Sequence, residues 1–377
     1  MQEDDSMTRI ALVGPGSSFR GGIAEHTVAL ATRLQGLGVL TEHASWGRQF
    51  PRRLHPGMSD GGSSTAPDVP EPADHVQESR HLHWNRPDSW IRVARRLRRE
   101  ARRLVVAVSS PLQMPAVVVL ARVFRGGSES RSVIAIVHNV LPHERSLLDA
   151  PLMKILVRAV NVTIVHSRRE SDLATSLGAR SVRHAALPFH PPKGLRVGPH
   201  PAGHKRLDAL AFIGFVRPYK ALDVLLEALS QTRTSPRLIV RGEFWEPVQH
   251  YVKLIRRLGL TDRVTLVPGY ATAEEVSEVI GQVDALVLPY RSGTGSQQPR
   301  IGFACGAPAI VTDVGDLADQ VEHDVNGLVT VPDDSYELAL AIDQLYSNDR
   351  WLKLRRAVAP PNSDEEWSTY IAALAGK

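Results

Sequence analysis

Short apolar runs rich in Val and Ile alternate with helical patterns along most of this chain, which restricts it to parallel β-sheet covered on both faces by helices. The first series is RIALVG from Arg9, LVVAVS from Leu104, SVIAIVH from Ser132 and VTIVHS from Val162. The second is LAFIG from Leu210, RLIVRG from Arg237, RVTLVP from Arg263, DALVLP from Asp284 and PAIVTD from Pro308. Two series predict an α/β chain of two Rossmann-like domains, for which 377 residues suffice. The stretch FHPPKGLRVGPHPAGHKR, rich in Pro, Gly and His, reads as the linker near residues 191 to 205. The first domain then covers 7–195 and the second 205–362, with a closing helix over 363–377. A polar, aperiodic segment from Pro56 predicts a mobile loop over about 56–80 inside the first domain.

No window approaches the roughly 18 uncharged apolar residues of a spanning helix, and MQEDDSMTRI carries acids where a signal peptide is basic. A cytoplasmic protein is expected, neither membrane-spanning nor secreted. The single cysteine, Cys305, excludes a disulfide framework and a multi-cysteine zinc site. The formal charge of +5 is concentrated in RVARRLRREARRL, which holds Arg92, Arg95, Arg96, Arg98, Arg99, Arg102 and Arg103. Its apolar residues Ile91, Ala94, Leu97, Ala101 and Leu104 recur at threes and fours, as in one helix with a buried seam and a solvated basic face. Such a face also suits anionic lipid headgroups. No aromatic residue interleaves the arginines, which argues against nucleic acid.

In FIGFVRPYKALDVLLEAL a strand ends at Gly214, and Arg217 and Lys220 stand just before a helix whose Leu222, Leu225, Leu226 and Leu229 face the core. Two cations at a helix N-terminus, after a parallel strand, form a natural site for a phosphate or diphosphate. In the first domain Gly21 and Gly22 open a helix and allow close approach to a phosphate, with Arg20 beside them. His26, one turn inside, reads either as an acceptor contact or as a packed histidine. His138 ends a strand, as a site residue or as a buried, hydrogen-bonded histidine. His143 and Glu144 follow on a loop, without visible partners for a metal. Ser167 reads as a helix N-cap. Ser363 and Glu366 read as the cap pair of the last helix, which Trp367 and Tyr370 anchor.

The order F-x-G-x-x-R-x-x-K, VTLVPGY, DALVLPY and ACGAPAIVTDVGDLADQV resembles the family 4 glycosyltransferases of the GT-B fold across the whole second domain. The resemblance implies two Rossmann-like domains facing a central cleft, with the C-terminal helix returning to the first domain. It implies retaining, metal-independent transfer of a sugar from a nucleotide-sugar donor to an acceptor hydroxyl, the donor being a co-substrate and no cofactor being needed. By the same resemblance Arg217 and Lys220, next to Gly214, hold the donor diphosphate, and Pro268, Gly269 and Tyr270 frame the nucleobase. Gly21 and Gly22 face the donor, and His138, in H-N-x-x-P-H-E, meets the transferred sugar.

One departure matters. The two glutamates that most of the family carries before A-C-G fall here on Gly293 and Ile301. The chain is similar instead to a smaller branch with a Ser/Thr/Gly loop, in which Thr294, Gly295 and Ser296 offer hydroxyls and backbone N–H groups to a phosphate or sugar. Gln297 and Gln298 stand ready to replace lost hydroxyl contacts. A non-catalytic sugar-nucleotide-binding or regulatory partner is the alternative function, followed by a phosphorylase or sugar-nucleotide epimerase. The expected partners are the donor and an acceptor, lipid-linked at the inner face of an anionic membrane in one reading, with no nucleic acid.

Overall fold

The computed structural model describes residues 9–19, 21–49, 76–142, 146–198, 205–293 and 295–376. Arg20, His143, Glu144, Thr294 and most of the expected 56–80 loop lie outside them. Two units result, one of residues 1–190 with 363–377 and one of 191–362.

The first unit is a parallel sheet of seven strands among the described residues. They are β1 (Ile10–Val13), β2 (Leu40–Arg48), β3 (Glu78–His83), β4 (Arg103–Val108), β5 (Ser132–Val137), β6 (Val162–Val165) and β7 (Val182–His184), in the order β3-β2-β1-β4-β5-β6-β7. Helices α1 (Gly22–Gly36), α2 (Pro87–Glu100), α3 (Met114–Arg125), α4 (Asp149–Ala159) and α5 (Arg168–Ser176) connect them. β4 and β5 are almost wholly apolar because both of their faces are buried. The strand order reverses between β1 and β4, the switch point at which such sheets present ligand sites beyond their carboxyl ends. Glu78–Arg80, expected at the end of the loop, instead open β3, where β2 pairs with them.

The second unit repeats this plan with β8 (Ala209–Ile213), β9 (Arg237–Gly242), β10 (Val264–Pro268), β11 (Ala285–Leu288), β12 (Ala309–Thr312) and β13 (Gly327–Thr330), in the order β10-β9-β8-β11-β12-β13. Its helices are α6 (Leu222–Gln231), α7 (Val248–Arg257), α8 (Ala273–Ile280), α9 (Gln298–Ala304), α10 (Leu317–Gln320), α11 (Ser335–Leu345) and α12 (Arg350–Ala357). The reversal here lies between β8 and β11. The two Rossmann-like sheets predicted from the sequence are therefore both present.

The last helix, α13 (Ser363–Ala375), belongs to the first unit, where Trp367, Tyr370 and Leu374 pack with Leu30, Leu34 and Ile164. The cap pair takes a different form from the expected one. Ser363 is already helical, and its Oγ donates to the Phe189 carbonyl at 2.8 Å, while Glu366 accepts from the Phe189 N–H at 2.7 Å. Both side chains are thus spent on tying the helix to the chain that leaves β7. Trp367 Nε1 donates to the same carbonyl at 3.0 Å. Trp367→Ala is expected to lower the stability of the first unit by about 3 to 5 kcal/mol, read as a shift in its urea midpoint.

The basic segment is not one helix. α2 stops at Glu100 because Ala101 turns to an extended conformation, and Arg103 opens β4. Arg92, Arg95 and Arg99 remain exposed on α2. Arg98 does not join them, since its Nη1 donates to the Val123 carbonyl at 3.3 Å. Arg96 pairs with Glu42, and Arg103 donates to the Leu374 carbonyl. Among the described residues no helix is long and apolar enough to cross a membrane.

Candidate functional site

The carboxyl end of β8 is shaped by two glycines. Gly214 has φ +111°, and a Cβ on it would stand 3.4 Å from both Lys220 Nζ and Gln298 Nε2, so both groups crowd the glycine. A Cβ on Gly242, at the end of β9, would lie 1.7 Å from the Gly214 carbonyl oxygen. Only glycine permits that approach. Arg217, in extended conformation, leads into a short turn over Pro218–Lys220, and Ala221 at φ +53° starts α6.

Lys220 is buried, with Nζ 5.0 Å from the centre of the Tyr290 ring. Burial, and then the Arg217 charge, pull its pKa below the usual lysine value against an opposing effect of Tyr219. Among the described residues no carboxylate pairs with it. A buried cation beside an aromatic ring, with no carboxylate partner among the described residues, is costly, and an anion supplies what it lacks. The Arg217 guanidinium lies 4.4 Å over Trp245 and 5.6 Å from the Tyr219 ring.

Arg291, which sequence reading missed, holds the turn that carries both cations. Its backbone N–H donates to the Tyr219 carbonyl at 2.8 Å and its Nη1 to the Pro218 carbonyl at 3.0 Å. The rest of the fork binds Asp223 at 2.9 and 2.6 Å and Asp333 at 2.7 Å, and the Asp223 carboxylate holds its pKa above the usual arginine value. Only the position of Arg291 one residue past Tyr290 hints at this in sequence.

The next loop, 293–298, carries small and polar residues among its described positions. Thr294 lies outside the described residues. Gly295 is exposed, and Ser296 Oγ accepts from the Gln298 N–H at 3.3 Å. Gly293 has no side chain to offer, and Ile301 is buried, its side chain given to packing. Beside them Asp316 is 7% exposed, and burial pushes its carboxyl up to about 7 against the Arg300 charge. One Asp316 oxygen, Gln298 Oε1 and Gln320 Oε1 are buried without a hydrogen-bond partner among the described residues. Asp316 carried no signal in sequence, since an aspartate between short runs is ordinarily solvated.

At the end of β10 the segment Pro268–Tyr270 turns at Gly269, φ +127°. The backbone groups expected to read a base are largely committed. Gly269 N–H donates to the Gly242 carbonyl, while buried Arg241 donates to the carbonyls of Gly269 at 2.7 Å and Tyr270 at 3.0 Å. What the loop leaves open is an aromatic face, with Phe215 5.9 Å from Trp245 and 6.3 Å from Tyr270.

In the first unit Gly21 has φ +101° and caps α1, and Gly22 is its first residue. A Cβ on either would meet open space. His26 is fully buried in a ring cluster, 5.0 Å from His138, 5.9 Å from His166 and stacked 5.4 Å from Trp367. His138 lies 4.9 Å from His166. Burial, reinforced by the neighbouring histidines, pulls His26 and His138 well below the usual value. Burial brings His166 to about 4, although its Nδ1 bonds the Ala185 carbonyl. Each of the three is therefore neutral at pH 7. His138 Nε2 and both ring nitrogens of His26 have no hydrogen-bond partner among the described residues. The structure thus makes His26 a packed histidine, and His138 one that is buried with a free ring nitrogen. Ser167 caps α5 through the Glu170 N–H at 3.2 Å. No group of three or more His, Cys, Asp and Glu among the described residues is placed to hold a metal ion.

Residues 208–348, which include Gly214, Arg217, Lys220 and the 293–298 loop, match the family model described as Glycosyl transferases group 1. A curated relative, D-inositol 3-phosphate glycosyltransferase of Mycobacterium sp. (strain KMS), is 28% identical over 200 residues, 52% of this chain and 42% of that protein. The match thus spans less than half the length of that relative. Among solved structures, Anabaena Alr3699/HepE in complex with UDP is similar with a TM-score of 0.71 and 15% identity, covering 98% of this chain and 100% of that one. Sucrose-phosphate synthase (tll1590) from Thermosynechococcus elongatus gives 0.73 and 16% over 98% and 100%. At such identities the likeness is one of fold, the GT-B pair of Rossmann-like domains.

Proposed function

We propose that this chain is a glycosyltransferase that moves a sugar from a nucleotide-sugar donor to an acceptor hydroxyl, with retention of configuration and without a metal ion. The observation that carries the reading is the buried Lys220 ammonium beside Arg217 at the switch point of the second unit, with no carboxylate among the described residues to neutralise it. The family match over that unit, and the UDP named in the HepE structure, support a nucleotide donor.

As the nucleoside diphosphate departs, negative charge grows on its terminal phosphate. Arg217 and Lys220 stabilise that charge in place of a cation, and Arg291 keeps both at the right spacing by fixing their turn. The sugar gains oxocarbenium character, and an oxygen of the leaving phosphate takes the acceptor proton on the same face. His138 is assigned to the transferred sugar by the family resemblance alone, as a neutral group whose buried Nε2 has no hydrogen-bond partner among the described residues.

A nucleotide screen tests the reading. One of UDP, GDP, TDP and ADP is expected to raise Tm, by the equivalent of about 2.7 kcal/mol at 100 times its Kd, and Arg217→Ala is expected to abolish the shift. Stabilisation by none of the four overturns it. The burial of Ile301 and the bare Gly293 favour a second reading, a non-catalytic sugar-nucleotide-binding partner. Release of nucleoside diphosphate from the donor by purified protein separates the two, since only an enzyme gives it.

The exposed Arg92, Arg95 and Arg99 support weak, salt-reversible attachment to an anionic cytoplasmic membrane face, at about 1 kcal/mol per arginine. Arg95→Glu with Arg99→Glu is expected to abolish sedimentation with phosphatidylglycerol vesicles at low salt. Unchanged sedimentation would leave a soluble acceptor as the better reading.

A further inference from the structure

β3 carries Ser79, His81 and His83 at alternate positions, while Leu82 between them is fully buried. Beside this strand α2 and the residue before it bring Arg86, Ser89, Arg92 and Arg96 round at spacings of three and four. The two histidines, the three arginines and Ser89 line a cavity of about 410 Å³, and its lining holds no carboxylate among the described residues.

The guanidinium groups are anchored from outside the cavity. Asp88 takes Arg92 at 2.6 Å and Arg86 at 3.1 Å, and Glu42 takes Arg96, whose Nη2 also reaches Ser79 Oγ at 3.0 Å. These pairs orient the forks without exhausting them. Arg96 Nε is buried with no partner among the described residues, and three guanidinium groups face two carboxylates. Ser89 Oγ is already committed, donating to the Arg86 carbonyl at 2.6 Å and accepting from the His83 N–H at 3.3 Å. It shapes the wall and leaves the arginines to meet a ligand.

A lining of cationic donors selects a ligand that is all acceptor and negatively charged, and planar guanidinium forks match phosphate oxygens in pairs. The volume falls in the range of small-molecule sites and exceeds what a bare ion fills, so the phosphate comes attached to a larger group. We propose that this cavity binds a phosphomonoester, at a site separate from the diphosphate site of the second unit. The inference goes beyond the donor reading and does not rest on it. Its ligand is either a free sugar phosphate or the headgroup of a phosphomonoester lipid.

Calorimetric titration with glucose 6-phosphate, glucose as control, and sedimentation with phosphatidic acid vesicles, phosphatidylglycerol as control, test it on the full chain. Arg86→Gln with Arg92→Gln is the variant of choice, because both side chains are more than half exposed and the fold does not depend on them. The expected result is glucose 6-phosphate binding that glucose does not share, at least about tenfold weaker in the double variant and unchanged in Arg217→Ala. A preference for phosphatidic acid over phosphatidylglycerol that the double variant abolishes, without glucose 6-phosphate binding, assigns the site to a lipid headgroup. Equal binding by the double variant, loss in Arg217→Ala, or binding of neither probe overturns the proposal. Because Arg217→Ala removes the nucleotide site alone, the two readings fail separately.

Discussion

Replacing Lys220 with Ala is expected to slow sugar transfer by about two to three orders of magnitude while the second unit keeps or gains stability. The two effects have one cause. In the free protein the ammonium is buried against Tyr290 with no carboxylate among the described residues, an arrangement that costs folding energy. On the proposed reading the group is compensated when a diphosphate sits before it, and most fully when the phosphate carries the charge of a leaving group. Removing it therefore relieves the free protein and penalises the transition state. Arg217→Ala is expected to lose a similar factor in rate together with nucleotide affinity, because the guanidinium lies at the surface of the site over Trp245. Lys220→Arg should not rescue, since a planar fork does not fit where a compact ammonium approaches Gly214. Donor turnover set beside urea unfolding checks all three. Turnover near wild type in Lys220→Ala removes the diphosphate from this position, and a loss of rate matched by a loss of stability makes the lysine structural.

Most of the strands legible in the sequence are buried on both faces, while β10, at an edge of its sheet and largely exposed, was legible from its Val and Leu content alone. Each run named from the sequence became a strand of one of the two sheets, from β1 and β4 in the first to β8 and β11 in the second. The strands that gave no signal fail for identifiable reasons. β3 and β7 lie at opposite edges of their sheet and are half-exposed, and β13, four residues opening on Gly327, lies at an edge of the second sheet. β2 is buried but carries His43 and Ser45 in its interior, which breaks the apolar run. The segment RVARRLRREARRL has the period of one helix through Ala101 and Leu104, but the helix ends at Glu100 and β4 claims Leu104. At the candidate site Gly214, Arg217 and Lys220 were legible because they are local in sequence. Arg291, Asp316 and the ring cluster around His26 were not, because each depends on elements brought together only by the fold, Arg291 reaching Pro218, Asp223 and Asp333 at once.

Lowering the pH from 7.5 toward 5 is expected to destabilise the first unit far more steeply than the second, and the ring cluster sets the window. His26, His138 and His166 are held neutral by burial, so their folded pKa values lie below the 6.5 of the unfolded chain. Above 6.5 neither state binds the proton and nothing is lost. Below it the unfolded chain takes up protons the fold refuses, and stability falls by about 1.4 kcal/mol per pH unit for each histidine until the folded value is reached, about 4 for His166. Three such groups lose about 4 kcal/mol per unit, against a total of roughly 5 to 15 for a domain. Trp367 and Tyr370 of α13 wall the cluster with aromatic surface, so a proton on His26 meets little compensation. Hydrogen exchange followed across the pH range should show β5 and α13 losing protection below about pH 6 while β8 and β11 keep theirs. His26→Phe, which retains a ring against Trp367, should flatten the slope by about a third. Equal loss in both units, or no loss before pH 5, defeats the argument. The same neutrality makes His138 a hydrogen-bonding group without charge throughout the physiological range, so the transfer rate should be level from pH 8 to 6.5 and fall only where the first unit itself begins to open.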